Sequence, residues 1–215
     1  MVSKFFSNLK KYSKGITLVE IVVMIFIIAL FSLIVISDFP RIQKQYALSR
    51  AAYKLAQDLR RTQDLGLSGI KLNDTNGQPI TVEGYGIYFD VSNTNPRENI
   101  KYVIYADVNG DKKYSGDLSY PFCDEADQGN PIIYPLATDC VIDEIDVSKE
   151  NPSLYIEGIE NIMGSYASVN FTPPDPITTI DTLNLGQSGI NIVLNNGLSA
   201  RKVFVNTSGL INIVP

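Results

Sequence analysis

Residues 16–37 read ITLVEIVVMIFIIALFSLIVIS, and Glu20 is the one charge among them. At ~1.5 Å per residue such a helix spans roughly 33 Å, about one hydrocarbon core. Whatever else the chain folds into, it must give this segment lipid or another apolar neighbour. Lys4, Lys10, Lys11 and Lys14 precede it without an acid, and Asp38, Arg41 and Lys44 follow it. The lysine excess predicts a cytoplasmic N-terminus and a head on the far side, in a single-pass protein of the cytoplasmic membrane. A cleaved secretory signal fits poorly. Its apolar region would be ~7–15 residues long, and Ser37-Asp38-Phe39-Pro40 lacks the small-residue cleavage pattern. A signal anchor remains, as does a reading that uses Gly15 and Glu20 together.

The stretch Lys14-Gly-Ile-Thr-Leu-Val-Glu20 resembles the class III leader of type IV pilins and type II secretion pseudopilins. Lys14, Gly15, Thr17, Leu18, Val19 and Glu20 carry the match. Ile16 departs from it, since phenylalanine is usual there. The resemblance implies cleavage after Gly15 by a prepilin peptidase and N-methylation of Ile16 by the same peptidase/methyltransferase. It implies assembly through Glu20 with other pilin or pseudopilin subunits. Residues 1–15 would be a basic leader, 16–37 the transmembrane half of a long helix and 38–66 its amphipathic half. Residues 67–215 would be an extracytoplasmic head. The chemistry is coherent with this. Cleavage leaves a cationic amine on Ile16, and Glu20 lies one turn away on the same helical face. An acid inside a membrane segment ordinarily marks function. A buried ion pair fixes register, because removing one partner strands the other.

The helical pattern continues past the apolar segment. Leu48, Ala52, Leu55 and Leu59 form one stripe, with Arg50, Lys54, Gln57, Asp58 and Arg61 mostly elsewhere. One helix is expected from Ile16 to about Leu65, bent near Pro40 and ended by Gly66 or Gly69. Beyond it, turn residues separate short β-rich runs: 80–90, 101–106, 154–159, 167–171, 177–185, 190–194, 201–205 and 210–214. The predicted fold is α+β, a long N-terminal helix packed on a mostly antiparallel head of two sheets. The order of features resembles the branch of H-type pseudopilins and T-type fimbrial minor pilins. It rests on Ala51, Ala52 and Ala56, the strand Tyr85–Phe89, the turn Ala106–Asp111, the strand Val169–Phe171 and the hairpin Arg201–Val214. Residues 114–153 fit no such pattern.

Cys123 and Cys140 are the two cysteines. In an exported head they would form one disulfide, restricting the unfolded chain by ~3 kcal/mol; two unpaired thiols are the alternative. Asp107, Asn109 and Asp111 occupy the first, third and fifth positions of a loop that suits Ca²⁺. However, Lys112 stands where an EF-hand has glycine, and Leu118 where it has its bidentate acid. Asx residues also make ordinary turns, so no metal is assigned here. The acids Asp124, Glu125, Asp127, Asp139, Asp143, Glu144 and Asp146 read as a solvated surface.

The chain has no histidine, and no nucleophile elbow or phosphate loop appears, so neither an enzyme nor a cofactor is expected. The net charge of −5 disfavours nucleic acid as a partner. A structural subunit of a pilus or pseudopilus is the leading expectation. A DNA-capturing minor pilin, relying on Arg201 and Lys202, is one alternative. A signal-anchored surface protein is the other.

Overall fold

A computed structural model describes residues 15–69, 72–73, 79–115, 123, 139–174 and 177–214. Most of the expected leader, residues 1–14, lies outside these, as do Leu118, Asp124, Glu125 and Asp127. The chain divides into two compact units, one ending at Ile42 and the other beginning at Gln43.

The described part of the first unit is the early part of helix α1, which as a whole runs Leu18–Ser68. Every residue from Gly15 to Ile42 is exposed. Isoleucine, valine and phenylalanine, weaker helix formers than alanine or leucine, make up most of the helix here, and it continues through Pro40. Having no N–H, Pro40 leaves the Ile36 carbonyl without its usual donor.

The second unit contains the rest of α1 and the strands. In chain order these are β1 Leu72–Asn73, β2 Pro79–Ile80, β3 Gly84–Asp90, β4 Lys101–Asp107, β5 Cys140–Asp146, β6 Tyr155–Glu160, β7 Tyr166–Thr172, β8 Ile177–Ile180, β9 Gly189–Asn195, β10 Ala200–Asn206 and β11 Ile211–Val214. One sheet has the order β5-β4-β3-β7-β8 and another the order β11-β10-β9-β6; β1 and β2 form a small separate ribbon. All neighbours are antiparallel. The chain crosses between the two larger sheets three times, after β5, β6 and β8.

The core lies between α1 and the two sheets. Ala47, Leu48, Ala51, Ala52, Leu55, Ala56 and Leu59 come from the helix, spaced to make one stripe. Ile87, Phe89, Tyr102, Ile104, Val169 and Phe171 meet them from the five-stranded sheet. Ile156, Ile190, Ile192, Leu194, Val203 and Val205 come from the four-stranded one. These are alternate strand positions, as a period of two requires. Burying each leucine or isoleucine contributes roughly 1.5–3 kcal/mol. The alanines let the helix backbone come close to the sheets. Gly66 carries this furthest: a Cβ built there would lie 2.7 Å from the Phe171 carbonyl oxygen. Gly66 is therefore a packing residue inside the helix. The terminating glycine is Gly69, whose φ is 56°.

Three expectations need correction. The helix extends three residues past Leu65, to Ser68. The run 177–185 is a strand only to Ile180; Thr182 has φ 65° and turns the chain. The acid-rich stretch Cys140–Asp146 is an edge strand, β5, that its charges conceal.

Candidate functional site

The start of α1 is built by local hydrogen bonding. Thr17 precedes the first helical residue, and its carbonyl accepts the Ile21 N–H at 3.2 Å. Its Oγ1 accepts the Glu20 N–H at 3.3 Å. Thr17 is thus the N-cap and Glu20 the third helical residue, the Thr-x-x-Glu order of a capping box. An acid in the first turn also meets the positive end of the helix dipole. The capping pattern is visible in the sequence, and our reading of Glu20 as an assembly residue passed over it. Gly15 lies outside the helix with nothing within 4 Å of the Cβ position, and Ile16 is 67 % exposed. The peptide bond between them is therefore in non-helical, accessible chain.

From Leu18 to Ser37 the helix is apolar on all sides, with Glu20 its one charge. Its most apolar 18-residue window has a mean hydropathy of 3.1, and none of that window is buried. It is long and apolar enough to cross a membrane.

The Asp107 loop is a second cluster. Asp107 closes β4 and is 1 % exposed. Its Oδ1 accepts the Gly110 N–H at 2.7 Å; its Oδ2 accepts the Lys112 N–H at 3.0 Å and the Asn170 Nδ2–H at 3.1 Å. Asn109 Oδ1 accepts the Asp111 N–H, and Asp111 Oδ1 accepts the Lys113 N–H. Asp139, equally buried, holds the loop from below. It accepts the Val108 N–H, the Ser115 N–H and the Ser115 hydroxyl. Burial pushes the Asp107 carboxyl up to about 6, against the N–H bonds from Gly110 and Lys112, which lower it. Burial likewise raises Asp139 above its ordinary value.

The loop is thus a ladder of Asx turns whose side-chain oxygens already receive N–H groups. Among the described residues no three acidic, cysteine or histidine side chains are grouped to hold a metal ion. Asp139 and Asn170 are buried members of this cluster that sequence reading missed. Both join by long-range contact, for which no local pattern exists.

The remaining candidates are placed as follows. A disulfide joins Cys123 to Cys140, Cα–Cα 5.2 Å, packed with Tyr85 and Ala106 near Leu65 of the helix. The described acids of that region do more than solvate a surface. Asp143 pairs with Arg61 at 3.2 Å and Glu144 with Lys101 at 2.6 Å, across the edge of the sheet. Asp146 caps a short 3₁₀ turn through the Ser148 N–H. Lys202, offered for DNA, is paired with Glu160. Arg60 donates to the Ile211 carbonyl. On the helix, Asp58 accepts a 2.6 Å hydrogen bond from the Tyr102 hydroxyl; burial first, and this carboxylate second, push the phenol well above its ordinary range.

Compared with protein-family models, with curated proteins and with solved structures, the chain matched none.

Proposed function

We propose that this chain is a structural subunit of a type IV pilus or a type II secretion pseudopilus, held in the cytoplasmic membrane by residues 16–37 before assembly. In this reading a prepilin peptidase cuts after Gly15 and the new amine of Ile16 is methylated. The apolar helix then leaves lipid for the company of kindred helices, and the β head supplies the outer surface. The observation that carries the reading is the join between motif and helix. An accessible Gly15–Ile16 bond stands directly before a capped helix that is exposed from Leu18 to Ile42 and apolar to Ser37 but for Glu20. Glu20 is then the acid that a neighbouring subunit's amine would satisfy inside an apolar bundle.

The test is mass spectrometry of the protein from its native host. A product beginning at a methylated Ile16 is expected; a functional product retaining Met1 would overturn the reading. Glu20→Ala is expected to keep membrane insertion and to abolish incorporation into filaments.

A signal-anchored surface protein is the second reading, favoured by the Thr17–Glu20 capping pair. That pair gives Glu20 a role in starting the helix that needs no filament. The same mass measurement separates the two, since an anchor keeps its first fifteen residues.

A further inference from the structure

The head carries a cleft of about 470 Å³ whose lining includes Lys44, Arg97, Asn151, Ser153, Tyr155 and Asn196 and no carboxylate. In a chain of net charge −5 a cleft with two cations and no acid is a local reversal. Lys44 comes from α1, Arg97 from the 3₁₀ turn before β4, and Asn196 from the turn between β9 and β10.

Among the described residues neither Lys44 nor Arg97 has an ion-pair partner. The acids adjacent in sequence to Arg97 and Asn151 have partners of their own. Glu98 accepts from the Asn95 Nδ2–H, and Glu150 pairs with Arg50 at 2.9 Å. The cleft wall is fixed. Asn196 is 1 % exposed; its Nδ2–H donates to the Lys44 carbonyl, and its Oδ1 accepts the Leu198 and Ser199 N–H groups. Asn151 Oδ1 likewise holds the Ser153 N–H and hydroxyl. Two unpaired cations over a rigid polar wall suit a phosphate monoanion.

Position names the source. Lys44 lies seven residues beyond Ser37, so the chain tethers the cleft within roughly 25 Å of the end of that segment however the two units are disposed. Within that tether two cations can meet anionic headgroups, which attract each Lys or Arg near the membrane surface. We propose that this cleft binds the phosphate of an anionic phospholipid headgroup at the membrane surface. The lipid source rests on residues 16–37 spanning the bilayer as proposed above.

The experiment uses the full chain in neutral detergent with phosphatidylglycerol, phosphatidylcholine or inorganic phosphate added, and native mass spectrometry counts what is retained. Wild type is expected to hold phosphatidylglycerol about thirtyfold more tightly than the double variant Lys44→Gln/Arg97→Gln. Phosphatidylcholine should bind wild type no better than phosphatidylglycerol binds that variant. The charge-matched double variant Lys54→Gln/Arg201→Gln should bind as wild type does. Equal retention of phosphatidylglycerol by wild type and Lys44→Gln/Arg97→Gln overturns the proposal, as does an equal loss in the charge-matched variant. Inorganic phosphate held without any preference for phosphatidylglycerol overturns the lipid source and leaves a free-phosphate site. Carbonate extraction of wild-type membranes runs alongside. Release of the chain would defeat the membrane reading, while the micelle arms still report on the cleft.

Discussion

The two parts of α1 are built from different residues and have opposite surroundings: Ile, Val and Phe dominate the earlier part, Ala, Leu, Gln, Lys and Arg the later. From Leu18 to Ile42 nothing is buried, and the apolar side chains point in every direction. From Gln43 to Ser68 most apolar residues lie on one face covered by the chain's own sheets, while Tyr46, Tyr53 and Leu67 stay exposed. The later part has its partner built in, so its stability belongs to folding. The earlier part has a surface that water cannot satisfy, so its stability belongs to whatever it is delivered into. Helix propensity favours the later part, yet both are helical; what separates their surroundings is the angular spread of the apolar residues.

Substitutions along the helix should follow this division, as measured by urea denaturation of the full chain in detergent. The largest loss is expected for Leu55→Ala, about 2–5 kcal/mol, because Leu55 is fully buried against both sheets. Tyr102→Phe comes next at about 1.5–3 kcal/mol, since it leaves the buried Asp58 carboxylate without its donor. Gly66→Ala should lose about 1–3 kcal/mol by forcing a methyl onto the Phe171 backbone; a neutral result would mean that the helix can shift away from β7.

A pH titration sharpens the head's side of the comparison. The folded Asp107 carboxyl titrates at about 6 against 3.8 when unperturbed, so the folded state binds this proton more tightly. Its contribution to stability is full below about 3.8 and is lost as pH rises through about 6. The stability of wild type minus that of Asp107→Asn should therefore fall between those values; a difference that rises would reverse the assignment. The smallest effect is expected from Ile28→Ala, under about 0.5 kcal/mol in the same urea assay, because its surroundings do not change on folding of the head. A loss equal to that of Leu55→Ala would erase the distinction between the two parts.

Much of this was open to view in the sequence, because periodicity reports burial. The stripe through Leu48, Ala52, Leu55 and Leu59 is one the core uses, and the run 201–205 is a strand that turns Val203 and Val205 inward. Asn195-Asn196-Gly197 and Thr207-Ser208-Gly209 make their turns, with φ of 80° and 79° at the glycines. What escaped did so for physical reasons. In β5, pairing with β4 and Arg61 makes a strand of residues that alone look like a solvated loop. Gly66 and Gly69 are the same residue type three apart, and only the nearness of Phe171 separates packing from termination. Asn170 meets Asp107 across 63 positions, beyond any local pattern. The Thr17 cap was legible and was overlooked, because the neighbouring Glu20 invited a different explanation.

The charges along β5 have a further consequence. A bare strand at the margin of a sheet invites a second chain to continue the ladder, and that invitation grows when many copies are crowded together. Asp143 and Glu144 stand on that margin, held there by Arg61 and Lys101. A like margin brought alongside would meet its own sign. A fence of this kind discourages the heads from zipping into aggregates and leaves association to other surfaces of the molecule.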